Sequence, residues 1–222
     1  MRKILPLALV AASSLPAQTP GLRLFSPLQG NASQIVDGNG NVVHVWPGTG
    51  SIVVHMTKDG DILRGMSVPN NSFPGTTGRL QRMGIDGTVK WDMTVSDSRR
   101  YMHHDICELP NGNVLVMAVD RMTRQEAIAA GRNPATVNSP GWLPAGILEI
   151  QQTGPTTGEI VWEWHVMDHL VQDFDPAAPN FGVVSEHPEL VDINYPPVNL
   201  AIVGDWNHAN GIDYDPINQH SS

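Results

Sequence analysis

Cysteine, positive charge and long apolar runs are all scarce in this sequence. Cys107 is the only cysteine among 222 residues, so no disulfide can form within the chain, and it is most simply a small buried hydrophobe. The 13 lysines and arginines face 22 acidic residues, and the net charge of −9 argues against a nucleic-acid partner. The apolar run Ile4–Ala12 is too short to span a bilayer, so no membrane insertion is expected.

The same run fits a secretory signal. Arg2 and Lys3 supply the positive start, Ile4–Ala12 the apolar centre, and the small residues ending at Ala17 a cleavage region. Residues 1–19 are therefore predicted to be a signal peptide, and the mature protein is predicted to be periplasmic or secreted. The alternative is that the run forms a buried first strand or helix.

Turn-forming residues, in contrast, are abundant, with 21 glycines and 18 prolines. Pairs such as Asp59-Gly60, Asp86-Gly87 and Asn111-Gly112 separate short runs in which apolar and polar residues alternate. These pairs supply the positive φ angles of tight hairpin turns. Because 41% of the residues are apolar, the chain can bury one sizeable core. The pattern predicts an all-β protein of successive antiparallel hairpins.

The hairpins also repeat. Gly40, Gly87 and Gly158 each begin a strand that carries a histidine or tryptophan at the same offset, namely His44, Trp91 and Trp162. The spacing from Gly40 to Gly87 is close to the length of one propeller blade. Residues 20–222 are therefore predicted to be part of a β-propeller of four-stranded blades, in which each tryptophan packs against the next blade.

Two insertions interrupt the repeat, at residues 121–145 and 166–204. The first holds the one convincing helical stretch, Thr123–Ala130, and the second is long and irregular. Loops of this length inside a compact domain are usually functional.

The chain holds about three blades, whereas propellers close with roughly four to eight. Towards the C-terminus, a strand over Asn207–Ile212 and a turn over Asp215–Asn218 are predicted, with no returning strand. A strand edge left open in this way is unusual. The favoured interpretation is a truncated sequence, and the alternative is a homo-oligomer that completes the ring.

Two stretches that each contain a histidine carry the strongest functional signal, Tyr101–Met117 and Asp205–Asn218. When the two stretches are aligned on their turns, His104 and His208 occupy the same position, at the start of a predicted strand. The first strand of each blade lines the central channel, so the two imidazoles are expected to converge there. An imidazole can act as base, nucleophile or hydrogen-bond donor. The alternative is that each is a satisfied histidine of the core or rim.

These stretches resemble the arylsulfotransferase family. The similarity rests on His103-His-Asp-Ile-x-x-Leu-Pro-Asn-Gly-Asn-Val-Leu, on Asp205-Trp-x-His-Ala-Asn-x-Ile-Asp-Tyr, and on the hairpin that runs from Gly146 to Asp168. The resemblance implies a six-bladed propeller in a secreted bacterial enzyme. It implies transfer of a sulfuryl group from a phenolic sulfate ester to a second phenol, through a sulfohistidine intermediate and without a nucleotide donor.

The resemblance also assigns roles. His104 and His208 are implied to be the catalytic residues that bind the sulfuryl oxygens. His103 is a supporting residue and the alternative to His104, which fits the His-Asp pattern better because it directly precedes Asp105. The partners implied are an aryl sulfate donor and a phenolic acceptor, with no cofactor and no metal. The nucleophilic histidine and the sulfuryl-binding arginine of the family have no match up to Ser222, so the chain alone is expected to be inactive.

The supporting residues Asp105 and Asn210 leave alternatives open. Asp105 could orient His104 or cap its strand, and Asn210 could hold His208 or the loop backbone. Two other functions also fit the residues: a noncatalytic secreted propeller that binds a ligand or a protein, and a metal-assisted hydrolase built on His103, His104 and His208.

Two further groups suggest sites with weaker signals. His165 and His169 have the spacing of metal ligands on a helix, although they follow a predicted strand. Trp142, Trp206 and Tyr195 could form an aromatic pocket for a phenolic acceptor, or they could be ordinary packing residues.

Overall fold

The computed structural model describes residues 21–28, 30–69, 75–137, 141–196, 204–217 and 220–221. The predicted signal peptide at 1–19 lies outside these residues. Within them, no helix is both long and apolar enough to cross a membrane.

Three antiparallel sheets follow one another along the chain. The first sheet has three strands: β1 (Arg23–Phe25), β2 (Ala32–Val36) and β3 (Val42–Pro47). The second has four: β4 (Ser51–Met56), β5 (Ile62–Ser67), β6 (Gly78–Met83) and β7 (Val89–Thr94). The third also has four: β8 (Arg100–Glu108), β9 (Val114–Asp120), β10 (Ala145–Gln152) and β11 (Gly158–His165).

Each four-stranded sheet is a meander in which neighbours in sequence are neighbours in space. The turns are those that the sequence predicts; Gly112, for example, joins β8 to β9 with a φ of 88°, which favours glycine. An all-β fold of four-stranded, blade-like sheets is therefore confirmed.

The main core lies between the second and third sheets. Leu63, Leu80 and Trp91 of the second sheet are fully buried together with Ile106 and Val116 of the third. Full burial of one such side chain stabilises the fold by about 1.5–3 kcal/mol. This face-to-face packing fixes β4 and β8, the first strands of the two sheets, side by side.

Tryptophans on the outer strands connect successive sheets, as predicted. The indole of Trp46 on β3 donates to the carbonyl of Gly84 in the second sheet at 2.8 Å, and that of Trp91 on β7 donates to Thr157 in the third at 3.0 Å. Both indoles are fully buried. Trp162 on β11 lies next to a bulge, and its position matches that of Trp91 beside the bulge of β7. Unlike Trp91, Trp162 is 43% exposed.

A buried arginine also joins the first and second sheets. Arg64 on β5 donates to the side chain of Gln81 and to the carbonyls of Trp46 and Pro47. Gln81 in turn donates to Asp92 at 2.6 Å. Because a buried charge needs such partners, this network fixes how the two sheets face each other.

The chain between β9 and β10 contains the one α-helix of the described residues, α1 (Arg124–Ala129). Thr123 and Glu126 form a capping box at its start, which confirms the helical stretch predicted at Thr123–Ala130. After β11, two 3₁₀ turns and two short parallel strands, β12 (Leu170–Val171) and β13 (Val191–Asp192), form a second layer over α1.

The C-terminal segment differs from its prediction. Asn207–Ile212 forms no strand, because its polar groups bond to side chains and to other segments instead of to a strand partner. The strand there is β14 (Tyr214–Asp215), which pairs with β15 (His220–Ser221). The predicted strand at Asn207–Ile212 and the predicted lack of a returning strand are therefore both wrong.

Candidate active site

Strand β8 leaves its ladder at the predicted histidines. Its pairing with β9 shifts between Met102 and Ile106, and the freed backbone pairs with the segment before β6. There the His104 N–H donates to the Gly75 carbonyl at 2.9 Å. His104 takes a φ of 51°, the left-handed region that a side chain rarely adopts. This irregularity positions the first histidine.

The irregular backbone brings two consecutive imidazoles together. Successive side chains of a regular strand point to opposite faces. At this bulge, however, Nδ1 of His103 and Nδ1 of His104 are hydrogen-bonded at 2.8 Å. His103 is fully buried and His104 is half-buried.

Gly75 makes room for the ring of His104. A Cβ atom at Gly75 would lie 2.2 Å from Cε1 of His104, and Gly75 itself has a φ of 76°. A larger residue would therefore displace the imidazole as well as strain the backbone.

His208 is held by a buried carboxylate. Its Nδ1 is hydrogen-bonded to Oδ2 of Asp205 at 2.7 Å. The other oxygen of Asp205, Oδ1, is buried without a hydrogen-bond partner among the described residues.

The structure brings His104 and His208 together. Their ring centroids lie 5.0 Å apart, with the planes at 76°. Both residues have positive φ angles, and no other non-glycine residue in the described ranges does. Strained backbone of this kind occurs preferentially at functional sites. The convergence predicted from the two motifs is therefore present, whereas the catalytic roles of the residues stay a prediction.

The protonated, positively charged forms of His103 and His104 are disfavoured. Burial, followed by the neighbouring His104 and His208, lowers the pKa of His103 to about 4. Burial, followed by His208, also lowers the pKa of His104. His103 is therefore neutral at neutral pH.

Asp105 does not hold His104. Its carboxylate accepts hydrogen bonds from His55 on β4 at 2.9 Å, from the Ile106 N–H at 2.9 Å and from the Ile212 N–H at 3.2 Å. Burial favours a raised pKa for Asp105, but the bonds from His55 and the two backbone groups outweigh it and lower the pKa. Asp105 thus links β4, β8 and the segment that carries His208, and of its two predicted alternatives these hydrogen bonds favour support of the backbone over orientation of His104.

Of the two alternatives for Asn210, the structure does not favour the one in which it holds His208, and the one in which it holds the loop backbone stays a prediction. Asn210 is exposed, and His208 is bonded to Asp205 instead. The neighbouring Asn207 accepts a hydrogen bond from the Ala145 N–H at 3.0 Å and so anchors the segment to β10. Asp205 is the residue that sequence reasoning missed, although its place three residues before His208 is a visible signal.

An open groove of about 700 Å³ adjoins the Asp105 bridge. It lies between the ends of β4 and β8 and the segment Gly211–Asp213. Cys107 lines this groove, and burial, together with Asp213, raises the pKa of its thiol to about 11. The thiol therefore stays protonated, which makes Cys107 a poor nucleophile and agrees with its interpretation as a hydrophobe.

The metal pair suggested by spacing is not formed. His165 lies between Asp120 at 2.5 Å and Glu163 at 2.8 Å, whereas His169 stacks on Trp164. The described ranges contain no group of three or more side chains that could hold a metal ion.

The aromatic pocket is not formed either. Trp142 and Trp206 are buried against each other, and the guanidinium of Arg132 lies over both rings. Tyr195 is 61% exposed and contributes only its backbone carbonyl, which accepts from the Trp206 indole. These residues form the core under the second insertion.

Comparisons with known proteins bear on the whole chain. A comparison with curated proteins gives no match. The family model described as Arylsulfotransferase (ASST) matches residues 17–221, which include both histidine segments and all three sheets. The chain belongs to the arylsulfotransferase family.

Proposed function

We propose that this protein takes part in sulfuryl transfer from an aryl sulfate ester to a phenol, with His104 and His208 as the residues that hold the sulfuryl oxygens. The observation that carries the proposal is the contact of these two rings, each at a strained backbone position and each with a dedicated partner. Family membership supports the substrate classes.

The chemistry requires donors of this kind. In the first half-reaction the nitrogen of a separate, neutral histidine forms a bond to sulfur while the bond from sulfur to the aryl oxygen breaks, and the leaving phenolate takes up the proton that this histidine releases. In the second half, the acceptor phenol oxygen bonds to sulfur, the nitrogen–sulfur bond breaks, and the phenolic proton passes to the departing histidine. The anionic sulfuryl oxygens persist throughout, so N–H donors or cations placed around them lower the barrier.

The segment that carries His208 is held in place by hydrogen bonds. His208 is fixed by Asp205, Asn207 by Ala145, and Ile212 by Asp105. The first bond lies within the segment, and the other two therefore hold this irregular segment against the third sheet. Rigid support of this kind is what a site of catalytic precision needs.

The test uses 4-nitrophenyl sulfate with phenol as acceptor and the longest polypeptide that the gene encodes. Release of 4-nitrophenol is expected, and His104→Ala or His208→Ala should each slow it by about a hundredfold to a thousandfold. His187→Ala, which removes an exposed histidine paired with Glu189, is the matched control and should leave the rate unchanged. Unchanged rates in both site variants would refute the assigned roles.

Export to the periplasm or medium is part of the proposal, supported by the pattern of residues 1–19. Cell fractionation of the tagged protein, with N-terminal sequencing of the mature form, tests it. A cytoplasmic product that keeps Met1 would contradict it.

A further inference from the structure

The two insertions meet at one buried guanidinium. Arg132 follows α1 in the first insertion and is only 2% exposed. Its Nη1 donates hydrogen bonds to the backbone carbonyl of Ile193 and, at 3.1 Å, to that of Tyr195, both in the second insertion. A buried charge is costly unless polar groups pair with it, so these two carbonyls fix where the guanidinium lies.

The same guanidinium lies over a pair of buried indoles. Its central carbon is 5.5 Å from the ring centroid of Trp142 and 5.7 Å from that of Trp206, which is the range of an attractive cation–π contact. The two rings also contact each other, with centroids 4.6 Å apart. The indole N–H of Trp206 donates to the Tyr195 carbonyl at 3.0 Å, so Arg132 and Trp206 share one acceptor.

Trp206 lies within the segment that carries His208. It directly follows Asp205, whose Oδ2 is hydrogen-bonded to Nδ1 of His208 at 2.7 Å. Leu143 of the first insertion pairs with the backbone of Asp205 in an isolated bridge. The residues just before His208 are thus held by the two insertions.

We propose that Arg132 is a positioning residue for His208. By fixing Trp206, it keeps the hydrogen-bonded pair of Asp205 and His208 in the orientation in which the His208 ring can hold a sulfuryl oxygen. The two insertions are then the support of this site, which agrees with the expectation that long loops in a compact domain are functional. The inference rests on the proposed function, because it concerns the placement of His208.

Direction is what the guanidinium adds to this core. Apolar side chains of similar volume often replace buried charged groups without loss of stability, so packing alone does not account for an arginine here. A guanidinium is planar, donates along fixed directions and stacks on aromatic faces, whereas the ammonium of lysine is a point charge. The two carbonyls and the two rings therefore define one position for Arg132, and Arg132 in turn defines the position of Trp206.

Arg124 offers a matched control within the first insertion. Its guanidinium also donates to two backbone carbonyls, those of Pro134 at 2.9 Å and Val137 at 3.3 Å. Both acceptors belong to the same insertion, so these bonds do not connect it to the second insertion. Arg124→Met therefore removes an arginine of the same insertion and leaves the support of Trp206 in place.

The first readout is turnover of 4-nitrophenyl sulfate with phenol by the longest polypeptide that the gene encodes. Arg132→Met is expected to lower kcat/KM by about a hundredfold, the loss that a displacement of about 1 Å in a site can cause. Arg132→Lys should recover part of this loss, because the ammonium keeps a charge over the rings and a donor for the carbonyls. Arg124→Met should leave the rate unchanged, and equal losses in Arg124→Met and Arg132→Met would overturn the inference.

A second readout needs no turnover. A carboxylate can only accept, so the proton between His208 and Asp205 lies on Nδ1 of His208, and its magnetic resonance signal reports on this pair. Exchange of this proton with solvent should become about tenfold faster or more in Arg132→Met, at a temperature where the variant stays folded, and should not change in Arg124→Met. Unchanged exchange in Arg132→Met would mean that Arg132 only packs the core.

Milder changes keep the test decisive if Arg132→Met does not fold. Trp206→Phe keeps a ring under the guanidinium and removes the indole N–H that donates to Tyr195. When it is combined with Arg132→Lys, the loss in kcat/KM should fall short of the product of the two single losses, since both changes act through one contact. Losses that multiply would contradict the proposal. Failure of the proposed function is a separate result, namely no turnover by a wild-type protein whose His208 proton depends on Arg132 as expected.

Discussion

The imidazoles of His104 and His208 stand edge to face, 5.0 Å apart, on backbone that both residues hold at positive φ. Neither strained conformation is stable by itself, since each costs of order 1–3 kcal/mol. Each is held by a polar partner, Gly75 for the first and Asp205 for the second. The surrounding sheets therefore maintain a geometry that the local sequence disfavours.

Gly75→Ala tests how the first ring is held. The new Cβ would clash with the His104 imidazole, because the two would lie 2.2 Å apart. We expect the affinity for 4-nitrobenzenesulfonate, an aryl sulfonate whose carbon–sulfur bond cannot take part in transfer, to fall by about tenfold or more in titration calorimetry, since a tenfold loss needs only 1.4 kcal/mol.

Gly60→Ala is the matched control for that experiment. Gly60 has a φ of 81°, close to the 76° of Gly75, and a Cβ there would meet nothing within 4 Å. Both variants should lose similar stability from backbone strain, about 1–2 kcal/mol. Equal loss of affinity in the two variants would show that displacement of His104 is not the cause.

Asp105→Ala tests the bridge to the segment of His208. The change removes the acceptor of both His55 and the Ile212 N–H. Faster hydrogen exchange of the Ile212 amide is expected, together with a loss of about 1–3 kcal/mol in the free energy of unfolding.

The control for this bridge is Asp213→Ala. Asp213 carries a carboxylate beside the same groove, and its side chain contacts Cys107 and the Tyr214 N–H instead of Ile212. Exchange of the Ile212 amide should change little in this variant. Similar exchange rates in the two variants would contradict a specific role of Asp105.

The sheets could be predicted from sequence because each hairpin carries its own local signals. Turn pairs such as Asp86-Gly87 and Asn111-Gly112 set the register, and the alternating residues on either side set the buried face. The helix of the first insertion was predictable for the same reason, since its capping box at Thr123 and Glu126 lies within four consecutive residues.

The details of the site could not be predicted in this way. That His103 and His104 touch depends on a bulge, and the bulge depends on pairing of β8 with the segment at Gly75, in the preceding sheet. The sequence leaves open whether Asp105 orients its neighbour His104, whereas in the structure the Asp105 carboxylate accepts hydrogen bonds from His55 and from the Ile212 N–H. Contacts of this range leave no local signal in a single sequence.

Trp91→Phe tests the connection between the second and third sheets. The change removes the indole N–H that donates to Thr157 and leaves a smaller ring in a fully buried position. A loss of about 1–2 kcal/mol in the free energy of unfolding is expected from urea denaturation.

Trp162→Phe makes the same substitution at the matching position of β11, where the side chain is 43% exposed. Its effect should stay within about 0.5 kcal/mol, as is usual for exposed sites. If both variants lose the same stability, the indole bond to Thr157 contributes nothing specific.

Two histidines of the third sheet should shift the pH dependence of stability in opposite directions. The pKa of His103 falls from an ordinary 6.5 to about 4 on folding, so between these values the unfolded chain binds more protons and stability rises with pH. Integrated over that window, His103 contributes about 3 kcal/mol to the free energy of unfolding. This contribution is absent at acid pH and fully present above pH 6.5.

The pKa of His165 is instead raised above 6.5, because hydrogen bonds from the ring to Asp120 and Glu163 outweigh burial. The folded state then binds the extra proton, so this contribution is fully present below 6.5 and is lost as pH rises through the folded pKa. Urea denaturation across this range should show that His165→Asn removes the decline above 6.5 and leaves the acid side unchanged. His103→Asn should flatten only the acid side. A decline above 6.5 that persists in His165→Asn would mean that its two carboxylates do not hold the ring as a cation.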